Sequence, residues 1–305
     1  MLQRKIYIFL LFSSLLFNFD LKSQTDSVFW FVAPDVTCRH AGSCAPGAQG
    51  TGNAGGEPMY FRFTARDKDA DVQILQPANA AWDPSTLEYR INGVGPWTPI
   101  GADWTFTIPA NTVAYVEMTP KVFETENRPP ATILDYGFLI RSSELITVYY
   151  EVSTPNNPDL FALKGKNALG TDFTVPIQDI WKNKNYYGGL DYRDPKCAID
   201  IVATEEGATT IKITPGDDLI NSAWGGLAYP GGNVRNHPTD PNTFTIVLQQ
   251  GQTFSCMAYS RKPNRHLGGT RITSDKKIAV TYSDDSVKPA GCYDLIGDQL
   301  IPKDI

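Results

Sequence analysis

The chain is poor in the residues that carry chemistry. Only three histidines (His40, His237, His266) and five cysteines (Cys38, Cys44, Cys197, Cys256, Cys292) occur in 305 residues. No Cys-x-x-Cys is present, so the usual zinc-finger and zinc-ribbon spacings are excluded and no metal site or cofactor is predicted. No Gly-x-Ser-x-Gly and no triad motif around a histidine occur, so the common hydrolase signatures are missing. Positive charge is in deficit: 27 Lys and Arg stand against 33 Asp and Glu, a formal net charge of −6. Nucleic-acid partners need a basic face, and this balance argues against them. Helical periodicity is missing too, because no segment keeps it over three turns.

The one long apolar run is at the N-terminus. Met1-Leu-Gln-Arg-Lys5 is a basic start, and Ile6 to Phe19 has the length of a signal-peptide hydrophobic region, short for a bilayer span. Residues 1–23 are therefore predicted to be a signal peptide, with cleavage leaving Gln24 first. Removing them takes Arg4, Lys5, Lys22 and Asp20 and moves the formal charge to −8. The mature chain is expected to be secreted or held on the outer cell surface, without membrane insertion. Export permits disulfides. Cys38 and Cys44 lie close enough in sequence for a small ring, and Cys256 with Cys292 is the second expected pair. The odd count leaves one thiol over, and the spacing does not fix the connectivity.

What is abundant is short alternating apolar–polar runs between turns, with 25 Gly and 22 Pro as punctuation. Many of these runs occur twice. Thr105-Phe-Thr-Ile108 recurs as Thr243-Phe-Thr-Ile246, and Gly137 to Tyr150 aligns without a gap on Gly269 to Tyr282. Tyr60-Phe-Arg-Phe-Thr-Ala65 is echoed by Ala198-Ile-Asp-Ile-Val-Ala203. The order is kept, so the sequence predicts a tandem duplication of one β-rich unit. The expected units are residues 24–153 and 154–305. Each reads as a hairpin, a variable insert, a hairpin, and a third hairpin turning at Ser142–Glu144 or Ser274–Lys276. Half-buried strands in this number favour an all-β fold of two β-sandwich-like units, with β-propeller blades as the alternative. Val28 to Pro34 and Leu169 to Pro176 read as matching first strands. The final stretch falls where a further repeat would begin, which suggests a piece of a longer protein.

Leu163-Lys-Gly-Lys-Asn-Ala-Leu-Gly-Thr-Asp-Phe173 resembles a segment of the IgGFc-binding protein N-terminal family. So do Leu267 to Val280, a Gly-Thr-x-Ile-x-Ser strand pair, and Cys292-Tyr-Asp-Leu-Ile-Gly-Asp-Gln-Leu-Ile-Pro302. Lys277 stands where the family usually has proline, a change confined to a turn. The resemblance is to secreted, Bacteroidota-type members. It implies a non-catalytic binding or adhesion module whose partner is an extracellular protein or glycan, such as a host or matrix glycoprotein.

The reactive constellations each have a plainer reading. Asp67-x-Asp69-x-Asp71 has calcium-ligand spacing, but Val72 and Ala78 stand where an EF-hand needs Gly and Glu, so a charged hairpin turn is expected. Gly165-Lys166-Asn167 lacks the rest of a phosphate loop. Asp284-Asp285 and Asp217-Asp218 could serve as carboxylate pairs for glycoside hydrolysis, but acidic loop residues at strand ends are the plainer reading. The stronger signal is aromatic. Trp181, Tyr186, Tyr187 and Tyr192 crowd a polar loop, Trp224 lies in a second loop, and Trp82 and Trp97 fill the corresponding insert of the first unit. Such rings serve recognition of protein or glycan, or plug the gap between units. A carbohydrate-binding module built on residues 181–192 is the alternative function, and a hydrolase comes third.

Overall fold

The computed structural model describes residues 24–36, 59–101, 103–153, 158–185, 195–216, 235–237, 240–258, 260–289 and 293–303. The expected signal peptide, Cys38, Cys44, Tyr186, Tyr187, Tyr192, Asp217, Asp218, Trp224 and Cys292 lie outside them. Just over half of the described residues are strand and only 8% are helix. The first unit holds β1 (Thr25–Phe31), β2 (Met59–Ala65), β3 (Ala70–Leu75), β4 (Glu88–Ile91), β5 (Thr98–Pro99), β6 (Thr105–Ile108), β7 (Val113–Glu117), β8 (Ile133–Leu134), β9 (Phe138–Val152) and β10 (Asp159–Leu163). The second holds β11 (Gly170–Thr174), β12 (Cys197–Ala203), β13 (Thr209–Thr214), β14 (Arg235–His237), β15 (Asp240–Leu248), β16 (Thr253–Met257), β17 (Arg271–Val287) and β18 (Asp294–Gln299).

The strands form two nine-stranded sheets. The first runs β5-β4-β7-β2-β9-β3-β6, with β1 and β10 also on β9. The second runs β14-β15-β13-β17-β12-β16-β8, with β11 and β18 also on β17. Each sheet curls into a half-barrel or near-barrel around its own core. The fold is all-β in two units, as the sequence predicts, and not the separate four-stranded blades that a propeller requires; β10, expected at the start of the second unit, pairs instead with β9 of the first sheet. The duplication is visible strand by strand: β1, β2, β3, β6, β7, β9 and β10 correspond to β11, β12, β13, β15, β16, β17 and β18. Registers agree with the sequence echo as well. Phe61 faces Tyr150 in one unit, and Ile199 faces Tyr282 in the other.

The expected third hairpin is not formed. β9 runs unbroken for 15 residues through Ser142–Glu144, and β17 runs for 17 residues through Ser274–Lys276. The first half of β9 pairs with β3 and the second half with β2 and β10, while β1 pairs with both halves across a register shift. At the crossover a side chain replaces a ladder bond. Ser143 Oγ accepts from the Asp71 amide at 2.9 Å, and in the second unit Asp275 Oδ1 accepts from the Thr210 amide at 2.8 Å. Ser142-Ser-Glu-Leu145 has none of the Gly, Asn or Pro that a tight reversal favours, so the chain stays extended. One long strand thus carries the chain from one side of the core to the other.

The alternation read from sequence sorts the side chains. Met59, Phe61, Phe63 and Ala65 of β2 point inward, and Ile146, Val148, Tyr150 and Val152 of β9 join them. The second core is aliphatic at the same places, with Ile199 and Ile201 where the first has Phe61 and Phe63. β12 is different, because all seven of its residues are buried. Its outer face (Ala198, Asp200, Val202) is covered by the first unit. Trp30, Val32 and Leu139 pack on Val202 and Ala279, and Asn127 Nδ2 donates to Asp200 Oδ1 at 3.1 Å. Strand partners also cross over: β8 lies on the edge of the second sheet, although its residues precede β9.

Two glycines permit a close approach between the units. The Gly137 amide donates to the Gly251 carbonyl at 3.1 Å, and Gly251 sits at φ 81° in the β15–β16 turn. A Cβ on Gly137 would lie 2.6 Å from that carbonyl and 2.5 Å from Val202 Cγ2. Gly137→Ala is therefore expected to cost about 1–3 kcal/mol by overpacking. Urea unfolding monitored by Trp fluorescence checks it, and an unchanged midpoint would contradict the close docking described.

Candidate functional site: a cleft between the units

The outward face of the first sheet should be polar if it met only water. It carries instead a row of apolar side chains, because Trp30 and Leu75 both register with Leu139. The second unit covers only part of this row. The remainder is the floor of a cleft of about 620 Å³. Val28 and Arg141, which register with one another on β1 and β9, extend the floor. The far wall belongs to the second unit and consists of Thr204, Glu206 and Gln250.

Trp104 stands at the cleft with an unusual backbone. Its φ is 64° and the residue is 38% exposed. A bulky residue in the left-handed region is disfavoured, and such strain collects where a side chain must be held for use. A local frame holds it: the Trp104 amide donates to the Gly101 carbonyl at 2.8 Å, and Asp103 Oδ1 accepts from the Thr105 amide at 3.2 Å. Arg141 from the first unit and Glu206 from the second bring one charge of each sign to the opening. Lys276 Nζ bonds the Glu206 carbonyl at 2.6 Å and steadies that turn.

The residues singled out from sequence fall unevenly. Trp82 lines the cleft, yet its ring is buried, packs edge-on to Phe138, and donates from Nε1 to the Ile74 carbonyl at 2.9 Å. It is part of the core. Trp97 stacks on Tyr60 at 6.3 Å under the Arg90 guanidinium. Trp181 is half-buried in a turn closed by the Gln178 side chain, and it does not line the cleft. Trp104 was not singled out, because no motif marks it; a lone Trp before the Thr105–Ile108 strand looks like any strand flank.

The acidic motifs take the plainer reading. Asp69 Oδ1 accepts from the Ala110 amide at 2.8 Å and Asp71 Oδ1 from the Thr107 hydroxyl at 2.6 Å, so both tie neighbouring turns and strands. The Lys166 amide donates to Asp26 Oδ2, which places a carboxylate where a phosphate loop would hold its ligand. Asp284 and Asp285 are both buried and do not flank an open groove. Cys256, expected to pair with Cys292, is a free thiol buried in the second core, facing inward from β16. Cys197 is likewise free and buried. Burial and the nearby Asp284 charge push its thiol well up, so it is not a ready nucleophile.

Residues 161–304 match the family described as IgGFc binding protein. This stretch of the chain is similar to that family. The match opens at Phe161 in β10 and runs past β18, so it takes in every strand of the second unit. No curated protein and no solved structure matches the chain. The family is one of binding modules. In the cleft, the stretch that matches this family supplies the wall with Glu206, and the first unit supplies the floor and Trp104. Among the described residues, no helix is long and apolar enough to cross a membrane.

Proposed function

We propose that the chain is a non-catalytic module, secreted or displayed on the cell surface within a larger protein, that binds an extracellular protein in the cleft between its units. Trp104 carries this reading. A strained, partly exposed indole beside an apolar floor, with a charge of each sign at the rim, is the composition of a protein-binding hot spot. The family description makes the Fc part of immunoglobulin G the first partner to test.

The experiment is surface plasmon resonance of the chain over immobilised Fc, with Trp104→Ala and Trp181→Ala alongside. Loss of a central Trp costs about 2 kcal/mol or more, or about 30-fold in affinity. Trp104→Ala is expected to weaken binding by that factor and Trp181→Ala to leave it unchanged. The reverse pattern moves the site to the 181–192 loop, and no binding of Fc by the native chain removes Fc as the partner.

A further inference from the structure

The second unit contains a buried polar cluster that the first shows to be unnecessary for the fold. Cys197 faces Asp284 across β12 and β17. The corresponding pair in the first unit is Met59 and Val152, in the same register at the same end of β2 and β9. That apolar pair lies within the first core. In the second unit the position has become a thiol opposite a carboxylate, and His266 joins them from the loop before β17. All three are buried, and one donor atom of each lies within 4.8 Å of the others.

The nitrogen–oxygen distances have the scale of a metal coordination shell, and the Cys197 sulfur lies within 4.8 Å of both side-chain donors. His266 Nδ1 is 3.2 Å from Asp284 Oδ2 and 3.0 Å from the Gln178 backbone oxygen; the Gln178 side-chain amide, 3.1 Å from that nitrogen and 2.5 Å from Asp284 Oδ2, bridges the same two atoms and swings aside when an ion enters. With bonds of about 2.0–2.1 Å to N and O, adjacent corners of a zinc tetrahedron lie about 3.3 Å apart, and a sulfur corner lies about 3.5 Å from the others. Outer hydrogen bonds already aim the donors. Asn183 Nδ2 donates to Asp284 Oδ1 at 2.7 Å, and the Leu267 amide donates to Cys197 Sγ at 3.2 Å. Such second contacts orient ligands in metal sites. The set of one sulfur, one imidazole nitrogen and one carboxylate suits zinc better than calcium or magnesium, which prefer all-oxygen shells.

We propose that Cys197, His266 and Asp284 bind a structural zinc ion, with the Gln178 carbonyl as the fourth donor within reach. Thiolate and carboxylate together balance the two positive charges of the ion, and the released thiol proton passes to solvent. Gln178 and Asn183 belong to the segment between β11 and β12, so the ion fastens the base of the Trp181 loop to the sheet.

The test uses the whole chain, expressed without a histidine tag in zinc-supplemented medium, with metal content read by mass spectrometry. About one zinc per chain is expected. Cys197→Met combined with Asp284→Val writes the first unit's pair into the second, and it is expected to fold by circular dichroism and to hold no zinc. Asn183→Ala keeps every ligand and is expected to weaken zinc about 10- to 100-fold in a competition titration. Cobalt loaded in place of zinc should give thiolate-to-metal charge-transfer absorption in the native chain and none in Cys197→Met. Native protein without stoichiometric zinc or that cobalt absorption would overturn the proposal, as would zinc retained in the double variant.

Discussion

Phe61→Ala is expected to lower the free energy of unfolding by about 3–5 kcal/mol. Phe61 is fully buried at the centre of β2, with a core neighbour on every side. Its ring lies 5.3 Å from Phe138, 5.3 Å from Tyr150, 5.9 Å from Phe63 and 6.0 Å from Phe31. Truncation removes the transfer energy of the ring and leaves a hole bounded by other rings. Those rings come from three different strands and cannot all move inward together. The internal repeat supplies a second variant. Ile199 occupies the same place in the second unit, facing Tyr282 as Phe61 faces Tyr150. Phe61→Ile keeps a branched side chain that this fold is known to accept, so its loss should be clearly smaller than that of alanine. Urea denaturation of the full chain, followed by circular dichroism, measures both. A loss under about 1 kcal/mol for Phe61→Ala would mean that the aromatic cluster is not the support of the first unit.

The same comparison of units explains what was legible in the sequence. Strand identity and order were readable because alternation at Phe61-Arg-Phe or Ile199-Asp-Ile is a local signal, and because the echoes repeated it. At Ser142–Glu144 the sequence resembles a turn, because a polar pair interrupts the apolar alternation. Only the partner strands reveal that Ser143 bonds across to Asp71 and the chain continues. The cleft was illegible for another reason. Its floor is a sheet face that becomes special only when a second unit covers half of it, and Val28, Leu75 and Leu139 read simply as strand residues. Trp104 gives no sign of its left-handed backbone in the one-dimensional pattern. Cys197, His266 and Asp284 are separated by many residues and arise on β12, a loop and β17, so no spacing rule brings them together. The family resemblance, by contrast, was carried by contiguous strand and turn residues between Leu163 and Phe173, and that is where the family match begins.

Raising the pH from 5.5 to 8.5 is expected to destabilise the native chain, with Asp200 as the main cause. Its carboxyl is fully buried where the units meet, and burial pushes it up to about 7 against the pull of the Ser255 hydroxyl and the Asn127 amide. Asp35, itself raised by burial, adds a repulsive charge nearby. An ordinary carboxyl, as in the unfolded chain, titrates near 3.8. Folding therefore favours the protonated form. The stability linked to that proton is complete below about pH 3.8 and is lost as the pH rises through about 7. The whole difference is on the order of 4 kcal/mol, and about 2 kcal/mol of it falls between pH 5.5 and 8.5. Asp159, raised to about 6 chiefly by burial, adds a smaller change of the same sign. Asp200→Asn keeps an oxygen acceptor for Asn127 and removes the titration. That variant should be more stable than the native chain at pH 8.5, and its stability should change less between the two pH values. Urea midpoints at both pH values decide the matter: a native chain equally stable at both, or a variant with the native slope, places the charge elsewhere than on Asp200. Because Asp200 faces the first unit and not its own core, the loss at high pH should appear first as separation of the units. Fluorescence of the interface residue Trp30 is then expected to change before the circular dichroism of the strands does.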